Sequence, residues 1–472
     1  MSSQYGKDVY QVVEGKAPLA EAHALLHSQL AEDSGFPCRH PVFYRYLSTS
    51  SIYQPKAATC KDKVPFLVQS QQGNPKVFWL DPARVQAIHL IYAGKGPRFM
   101  SRFGHVSLRL IVCPEHVPLE ESCDVYLHEH VVLGYMAHVD DFAISPIKGL
   151  FGGYKAYLYA SHFIDVYQEY AIGEFREIYS VPLNLDRAQR ERMVRELADI
   201  HWSFSGEYRF LGSNCSTLLQ QALSVLWDDF ATSSLSRRIR SRPDRFFKAG
   251  LASGLLDAGA VASLKQAERD GFYFSSTAPY YEAAAEVVAD NMQHPYFSSV
   301  ESYLRAPAQA RSDIRQRDAE FLERLGEDVR LKEALLMLEE YALIRTERAM
   351  KARFAMYLKE SDFFKKAREN EGALSAHQKG VLEYCLLQPI KGRLQPDMTT
   401  TGIPQNELKD VTQRDHIDCT SAESVGHLRA AMRTILGDDP GEQPELKKLI
   451  REYTGSLNNI FSIQEAGGET IR

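Results

Sequence analysis

A change of hydrophobic period part-way along the chain constrains the fold more than any other feature of the sequence. Between about Val77 and Leu185 the apolar residues fall into short, strand-like stretches. Ala87–Tyr92 is mostly apolar, Phe103–Cys113 alternates around Val106, Leu108 and Leu110, and Val125–Met136 is rich in β-branched and aromatic residues. From about Pro243 onward the spacing is helical, and Leu336, Leu343, Met350 and Tyr357 recur every seven residues in an expected helix from Asp328 to Glu360. Strands gathered in one region and helices in another predict an α+β protein rather than alternating βα units.

Finer signals divide the chain further. Leu19–Leu30 reads as a short helix, Gly149–Tyr154 as a glycine-rich break and Glu174–Leu185 as an extended run. Asp186 is placed to cap a helix over Arg187–Trp202. The expected organisation is a helical and loop region over residues 1–75, a sheet-bearing domain over 76–240 and a helical domain over 241–472. The seven-residue repeat is read as packing inside the helical domain itself.

Composition excludes some function classes. The net charge of −6 gives no whole-chain electrostatic case for nucleic acid or an anionic membrane, and Arg237, Arg238, Arg240 and Arg242 read as a solvated loop. No apolar run approaches the ~20 residues that span a bilayer, so no transmembrane segment is expected. Met1–Gly6 lacks the basic start and apolar stretch of a signal peptide, which reads either as a cytoplasmic protein or as a chain whose leader has been removed. The seven cysteines form no Cys-x-x-Cys pair, so no structural zinc cluster is expected, and an odd number leaves one thiol over.

One cysteine has a chemically suggestive position. In Gly212-Ser-Asn-Cys-Ser-Thr, followed by an amphipathic stretch from Leu218 to Trp227, Cys215 falls at a helix start. Unpaired backbone N–H groups and the positive end of the helix dipole favour a thiolate there, lowering its pKa from about 8.5, and can also hold an oxyanion. His105, beside Gly104 in an expected strand, is suited to take the thiol proton and return it to a leaving group. On spacing alone, an inert buried thiol and a satisfied core histidine are the commoner outcomes. Ser107 shares the strand face of His105 and is a candidate site-lining group. Asn214 is a candidate helix cap that can also shape an oxyanion site.

Other signals are weaker. His128 and His130, with His138, Asp140 and Asp141, form the one credible metal cluster, but without a His-Glu-x-x-His helix they read as polar residues of a surface strand. Gly94-Lys-Gly96 lacks the ending of a phosphate loop, and no Gly-x-Ser-x-Gly elbow is present. No metal or cofactor is therefore expected.

From roughly Cys38 to Leu223 the chain resembles the Lnb N-terminal periplasmic domain family, a branch of the permuted NlpC-like papain-type superfamily. Met100-Ser-Arg-Phe-Gly-His-Val-Ser-Leu-Arg resembles the family's Ser-x-Phe-Gly-His element, and Lys148-Gly-Leu-Phe-Gly-Gly-Tyr its glycine-rich break. Glu174-Phe-Arg-Glu-Ile-Tyr resembles its Glu-x-Arg-Asp element, and Tyr208-Arg-Phe-Leu-Gly-Ser-Asn-Cys-Ser its Tyr-x-Phe-x-x-x-Asn-Cys segment, all in the family's order. The resemblance implies a permuted papain-like (NlpC-like) antiparallel sheet with a cysteine-bearing helix. It implies Cys215 as nucleophile and His105 as general base, with Arg176 and Glu177 as orienting, substrate-binding or purely structural residues. It also implies a Cys38–Cys60 disulfide and hence a periplasmic home. The reaction implied is acyl transfer through a thioester on Cys215, on a lipidated protein or phospholipid; a peptidoglycan peptide or other amide is the alternative substrate. Phe99, Met100 and Phe103 lean toward lipid. A non-catalytic scaffold working through residues 241–472 is the alternative of another class.

Overall fold

The computed structural model describes residues 36–39, 41, 62–69, 76–96, 101–138, 153–204, 206–210, 212–237, 242–360, 363–382, 422–436 and 444–466. Among these the chain forms two compact units, one up to Ser275 and one from Ser276 onward. The architecture is α+β: a nine-stranded sheet in the first unit and helices in the second. The expected Leu19–Leu30 helix lies outside the described residues.

The strands are β1 (Val64–Gln69), β2 (Lys76–Leu80), β3 (Val85–Ala93), β4 (His105–Val112), β5 (Val131–His138), β6 (Tyr154–His162), β7 (Ile178–Pro182), β8 (Gly206–Tyr208) and β9 (Tyr273–Phe274). They are ordered β2-β1-β6-β5-β4-β3-β7-β9, with β8 also on β6. The sheet is mixed, a correction to the purely antiparallel expectation: β1 runs parallel to β6, pairing Val68 with Ala160. A buried histidine fixes that junction. On helix α2, described below, His201 accepts the Leu67 N–H at 2.9 Å through Nε2 and donates through Nδ1 to the Leu158 carbonyl at 2.8 Å. Both ring nitrogens are thereby satisfied across the two strands, as burial requires.

Helices of the first unit are α1 (Phe163–Tyr167), α2 (Arg187–Ser203), α3 (Cys215–Leu226) and α4 (Pro243–Ala252). The expected cap of α2 is present: the Asp186 carboxylate accepts the Gln189 amide, and the Gln189 side chain returns to the Asp186 amide. On one face of the sheet Val106, Leu108, Leu110, Leu133 and Leu158 join Leu197 of α2 and Leu219 and Leu223 of α3 in one core. Each such buried Leu or Val contributes roughly 1.5–3 kcal/mol of apolar burial. The opposite face carries Ile91, Val132, Phe163 and Ile178. The chain from Pro243 to Phe274, helical by pattern, belongs to this unit, since Tyr273 pairs with Tyr179 and extends the sheet.

Strand β5 starts six residues later than its composition suggests. Residues 125–130 are turns, held by a Cys113–Cys123 disulfide and by His130, so β-branched content there does not report a strand.

The second unit contains α5 (Ala278–Asn291), α6 (Ala308–Arg317), α7 (Val329–Glu360), α8 (Ala376–Val381), α9 (Ala422–Leu436) and α10 (Pro444–Glu465) among its helices. Asp328 caps α7, accepting the amides of Arg330 and Leu331. The buried stripe of α7 runs through Leu331, Leu335, Leu338 and Ala342; of the expected repeat Tyr357 is buried, and Leu336, Leu343 and Met350 are half-buried. The stripe also contains a charged residue. Glu339 is fully buried and is bound by Arg311 at 3.0 and 2.8 Å, by Arg315 at 3.1 Å and by Asn459 of α10 at 2.9 Å. A buried carboxylate tolerates such a place only when its lone pairs are filled. No described helix is long and apolar enough to cross a membrane.

Candidate functional site

The site forms beyond the end of the β4–β5 ladder. Strands β4 and β5 pair only from Leu108↔Leu133 to Leu110↔Val131, whereas β5 continues beside β6 as far as His138. The first residues of β4, starting with His105, therefore lie beyond that ladder, with Gly134 of β5 close beside them. Gly104 delivers the chain into β4 with φ +86°, and a Cβ at that position would lie 2.6 Å from the Ala93 carbonyl oxygen and 2.4 Å from the Tyr92 ring. Only glycine fits.

Helix α3 brings Cys215 against Val106, the chain neighbour of His105, at the start of β4. Asn214 caps the helix: its Oδ1 accepts the amides of Ser216 and Thr217 at 3.1 and 3.3 Å, and Thr217 Oγ1 accepts the Asn214 amide at 2.8 Å. Asn214 Nδ2 also donates to the Phe210 carbonyl at 3.0 Å. The Cys215 side chain is buried beside the backbone amides of Val106 and Ser216 and the hydroxyl of Tyr208, each of which favours its anion. Among the described cysteines Cys215 alone carries a free thiol, since Cys113 pairs with Cys123 and Cys38 is disulfide-bonded. Cys60, the partner implied for Cys38, lies outside the described residues.

The electrostatics correct the expected thiolate. Burial pushes the Cys215 thiol up, outweighing the amides, the Tyr208 hydroxyl and the Arg176 charge that pull it down. Burial, with the Arg176 charge second, pushes His105 down to about 3. Near neutral pH the two groups thus rest as thiol and imidazole rather than as a thiolate–imidazolium pair. The neutral imidazole has a lone pair free to accept a proton, although burial this deep weakens it as a base.

Arg176 ties the surroundings together. Its Nε and Nη2 donate to the carbonyls of Gly94 at 2.7 Å and Ala93 at 3.0 Å, at the end of β3, and Nη1 pairs with Glu174 at 2.8 Å. Its guanidinium lies 4.5 Å over the Tyr170 ring, and that ring is 6.0 Å from the His105 ring. Glu177 is exposed and accepts the Tyr179 hydroxyl at 3.2 Å. Ser107 is buried, and its Oγ has no hydrogen-bond partner among the described residues. Phe103 lies beneath the Arg242 guanidinium at 4.5 Å; Phe99 and Met100 lie outside the described residues.

Three neighbours escaped the sequence reading. Tyr208 lies beside Cys215, and burial raises its hydroxyl well above the ordinary tyrosine value, with the Cys215 amide pulling the other way. Tyr170 is raised too, first by burial, with the Cys215 charge among the lesser causes. Gly134 on β5 lies close to the start of β4: a Cβ there would lie 3.3 Å from Ser107 Cβ and 3.6 Å from His105 Nε2. A lone glycine inside the Val-Val-Leu-Gly-Tyr-Met strand was the available signal for such a close approach.

The histidines once weighed as metal ligands are dispersed. His130 accepts Arg109 at Nδ1 and donates through Nε2 to the Cys123 carbonyl at 3.0 Å, so both its nitrogens are engaged. His128 is exposed in a turn, His138 meets the Tyr159 hydroxyl at 2.8 Å, and Asp140 and Asp141 lie outside the described residues.

Comparison with known proteins places a family on part of the chain. Residues 79–243 match the model of the Lnb N-terminal periplasmic domain, a stretch that contains β4, β5 and α3. That family is described as periplasmic, and the disulfides of the first unit accord with an oxidising compartment. Neither the curated proteins nor the solved structures yield a match.

Proposed function

We propose that the first unit is a periplasmic, cysteine-dependent acyltransferase with a permuted papain-like fold, in which Cys215 carries the acyl group and His105 is the base. The observation that carries this reading is the seat of the Cys215 sulfur. It is a free thiol at the first turn of a capped helix, beside the amide of the residue next to His105, inside the segment that matches the family.

In the proposed reaction His105 takes the thiol proton as sulfur attacks an acyl carbonyl carbon. The tetrahedral oxyanion meets donors beside the sulfur, among them the Tyr208 hydroxyl and the Ser216 amide. It collapses by breaking the carbon–oxygen bond, and the leaving alcohol takes the proton back from His105, leaving a thioester. An amine then attacks the thioester; a carbon–nitrogen bond forms, the carbon–sulfur bond breaks, and the amine's proton returns through His105 to the thiol. Arg176 acts as a positioning residue by fixing the β3 end against the Tyr170 ring. The substrate class, a lipidated protein or a phospholipid, follows from the family resemblance.

The test is labelling with a thiol-directed acyl probe and mass spectrometry of the labelled chain. Labelling is expected to vanish in Cys215→Ala and to fall by about 10²–10⁴-fold in His105→Ala. A fatty-acyl adduct on Cys215 supports the lipid substrate, and a peptidyl adduct replaces it with the amide-hydrolase reading. Equal labelling of wild type and both variants overturns the enzyme and leaves the scaffold reading.

A further inference from the structure

The helical unit holds a side-chain cluster that the proposed reaction does not use. Glu423 and His427 stand four residues apart on α9 and so share one face of that helix. His377 sits in the first turns of α8, whose start is fixed by a capping box: Ser375 Oγ accepts the Gln378 amide at 3.1 Å and Gln378 returns to the Ser375 amide at 2.9 Å. The His377 and His427 rings meet edge to face, with centroids 4.5 Å apart. His427 Nε2 lies 3.8 Å from Glu423 Oε1, and one ligand atom from each of the three residues lies within 4.8 Å of the others.

We propose that His377, Glu423 and His427 form a site for a zinc-type divalent cation that clips α8 to α9. Two imidazole nitrogens and one carboxylate oxygen are the donor set of an open, four-coordinate zinc site, with the last position left to water. Ligands about 2.0–2.2 Å from a tetrahedral ion stand roughly 3.4 Å from one another, so the cluster needs only small rotations of exposed side chains to close. Imidazole donors also set the selectivity, because calcium and magnesium prefer all-oxygen shells. His377 precedes Glu423 and His427 by a long stretch of sequence, so a bound ion would close a large loop and strengthen the pairing of the two helices. The site departs from the expectation of a metal-free protein, which rested on motifs that are local in sequence.

The proposal is tested by calorimetric titration of the full chain, free of any histidine tag and stripped with chelator, against zinc chloride, with magnesium chloride as reference. One equivalent of zinc is expected to bind, magnesium is not, and the melting temperature is expected to rise by a few degrees with zinc. His377→Ala, His427→Ala and Glu423→Gln are each expected to weaken binding tenfold or more and to abolish the thermal shift. These residues lie at the surface, and circular dichroism verifies that each variant is folded. Cobalt(II) gives a second reading, a visible absorption band of tetrahedral coordination that the variants lose. Cys215→Ala is expected to bind zinc as the wild type does. Undiminished binding in the three variants, loss of binding in Cys215→Ala alone, or no uptake at about 100 μM zinc overturns the site.

Discussion

Strand β4 carries polar groups at its start, His105 and Ser107, and at its middle, Arg109, and the molecule treats them in opposite ways. Arg109 is fully buried and surrounded: it donates to His130 Nδ1, to Ser180 Oγ at 3.1 Å and to the Gly271 carbonyl at 3.1 Å, and it lies 3.9 Å over the Phe163 ring. Ser180 in turn lies 3.0 Å from His89 Nδ1, and His89 Nε2 is 3.9 Å from Asp124. At the start of the strand, His105 lies beyond the β4–β5 ladder, Ser107 keeps a buried hydroxyl with no partner among the described residues, and the Cys215 thiol is free. Burial lowers His105 and His130 alike, each to about 3, so a perturbed histidine does not by itself mark chemistry. Each region keeps one buried oxygen without a hydrogen-bond partner among the described residues, Ser107 Oγ in one and Asp124 Oδ1 in the other; what separates them is the free thiol at one and the multiply bonded Arg109 at the other. A densely bonded network fixes structure, whereas a free thiol is a group able to react.

The largest expected effect tests the Arg109 network. Arg109→Met removes the donor that His130, Ser180 and Gly271 share, and it is expected to destabilise the first unit by about 3–5 kcal/mol. For a unit of this size that is a fall of roughly 10 °C in melting temperature. Probe labelling of Cys215 at a temperature where the variant remains folded is expected to stay within about twofold of wild type. A labelling defect as large as that of His105→Ala would erase the distinction between the two regions.

A smaller effect concerns pH. If His105 is the base and is held neutral until about pH 3, the labelling rate at pH 5 stays near its neutral value. An ordinary imidazole, with a pKa of about 6.5, would cost about 30-fold there. Stability follows the same protons in the other direction of interest. His105, His130 and His201 each fall to about 3 and His89 falls well below its usual value, so between pH 6.5 and about 3 the unfolded chain binds more protons. Stability is therefore full above that window and is lost as pH falls through it. Initial rates are to be taken beside a fluorescence measure of folding. An acid limb near pH 6.5 in folded protein would show that His105 is not held neutral.

Much of this was legible from the residues, and the reasons differ for the parts that were not. Alternation in β4 and the Asp186 cap of α2 are local signals, and both appear where expected. The parallel β1–β6 pair is not local: it depends on His201 reaching two strands distant in sequence. Nor could the pattern of α7 show that Glu339 occupies a core position, because Arg311, Arg315 and Asn459, which make it tolerable, are distant in sequence. At the site, the helix-start position of Cys215 and its cap were readable. The direction of the thiol's shift was not, because burial against the sheet opposes the helix terminus and no sequence window reports it. Tyr208 was visible only as part of a motif, with no sign that its hydroxyl lies beside Cys215.

The smallest expected effect probes the start of β4 itself. At Gly134 an added methyl group meets Ser107 Cβ at 3.3 Å, tight enough that the serine must give slightly, and reaches His105 Nε2 at 3.6 Å, an ordinary van der Waals contact. Gly134→Ala also removes backbone freedom from the unfolded chain, which offsets part of any strain. The melting temperature is accordingly expected to move by no more than a few degrees, while the labelling rate of Cys215 falls about threefold as Ser107 shifts and the methyl group packs against the imidazole. If His105 is only a structural residue, the contact leaves labelling unchanged and any cost appears in stability. Combining Gly134→Ala with His105→Ala separates the cases, because a methyl group that acts through the imidazole has no further effect once the imidazole is gone. Additive losses in the double variant would mean that Gly134 acts independently of His105 and matters for the space it leaves to substrate.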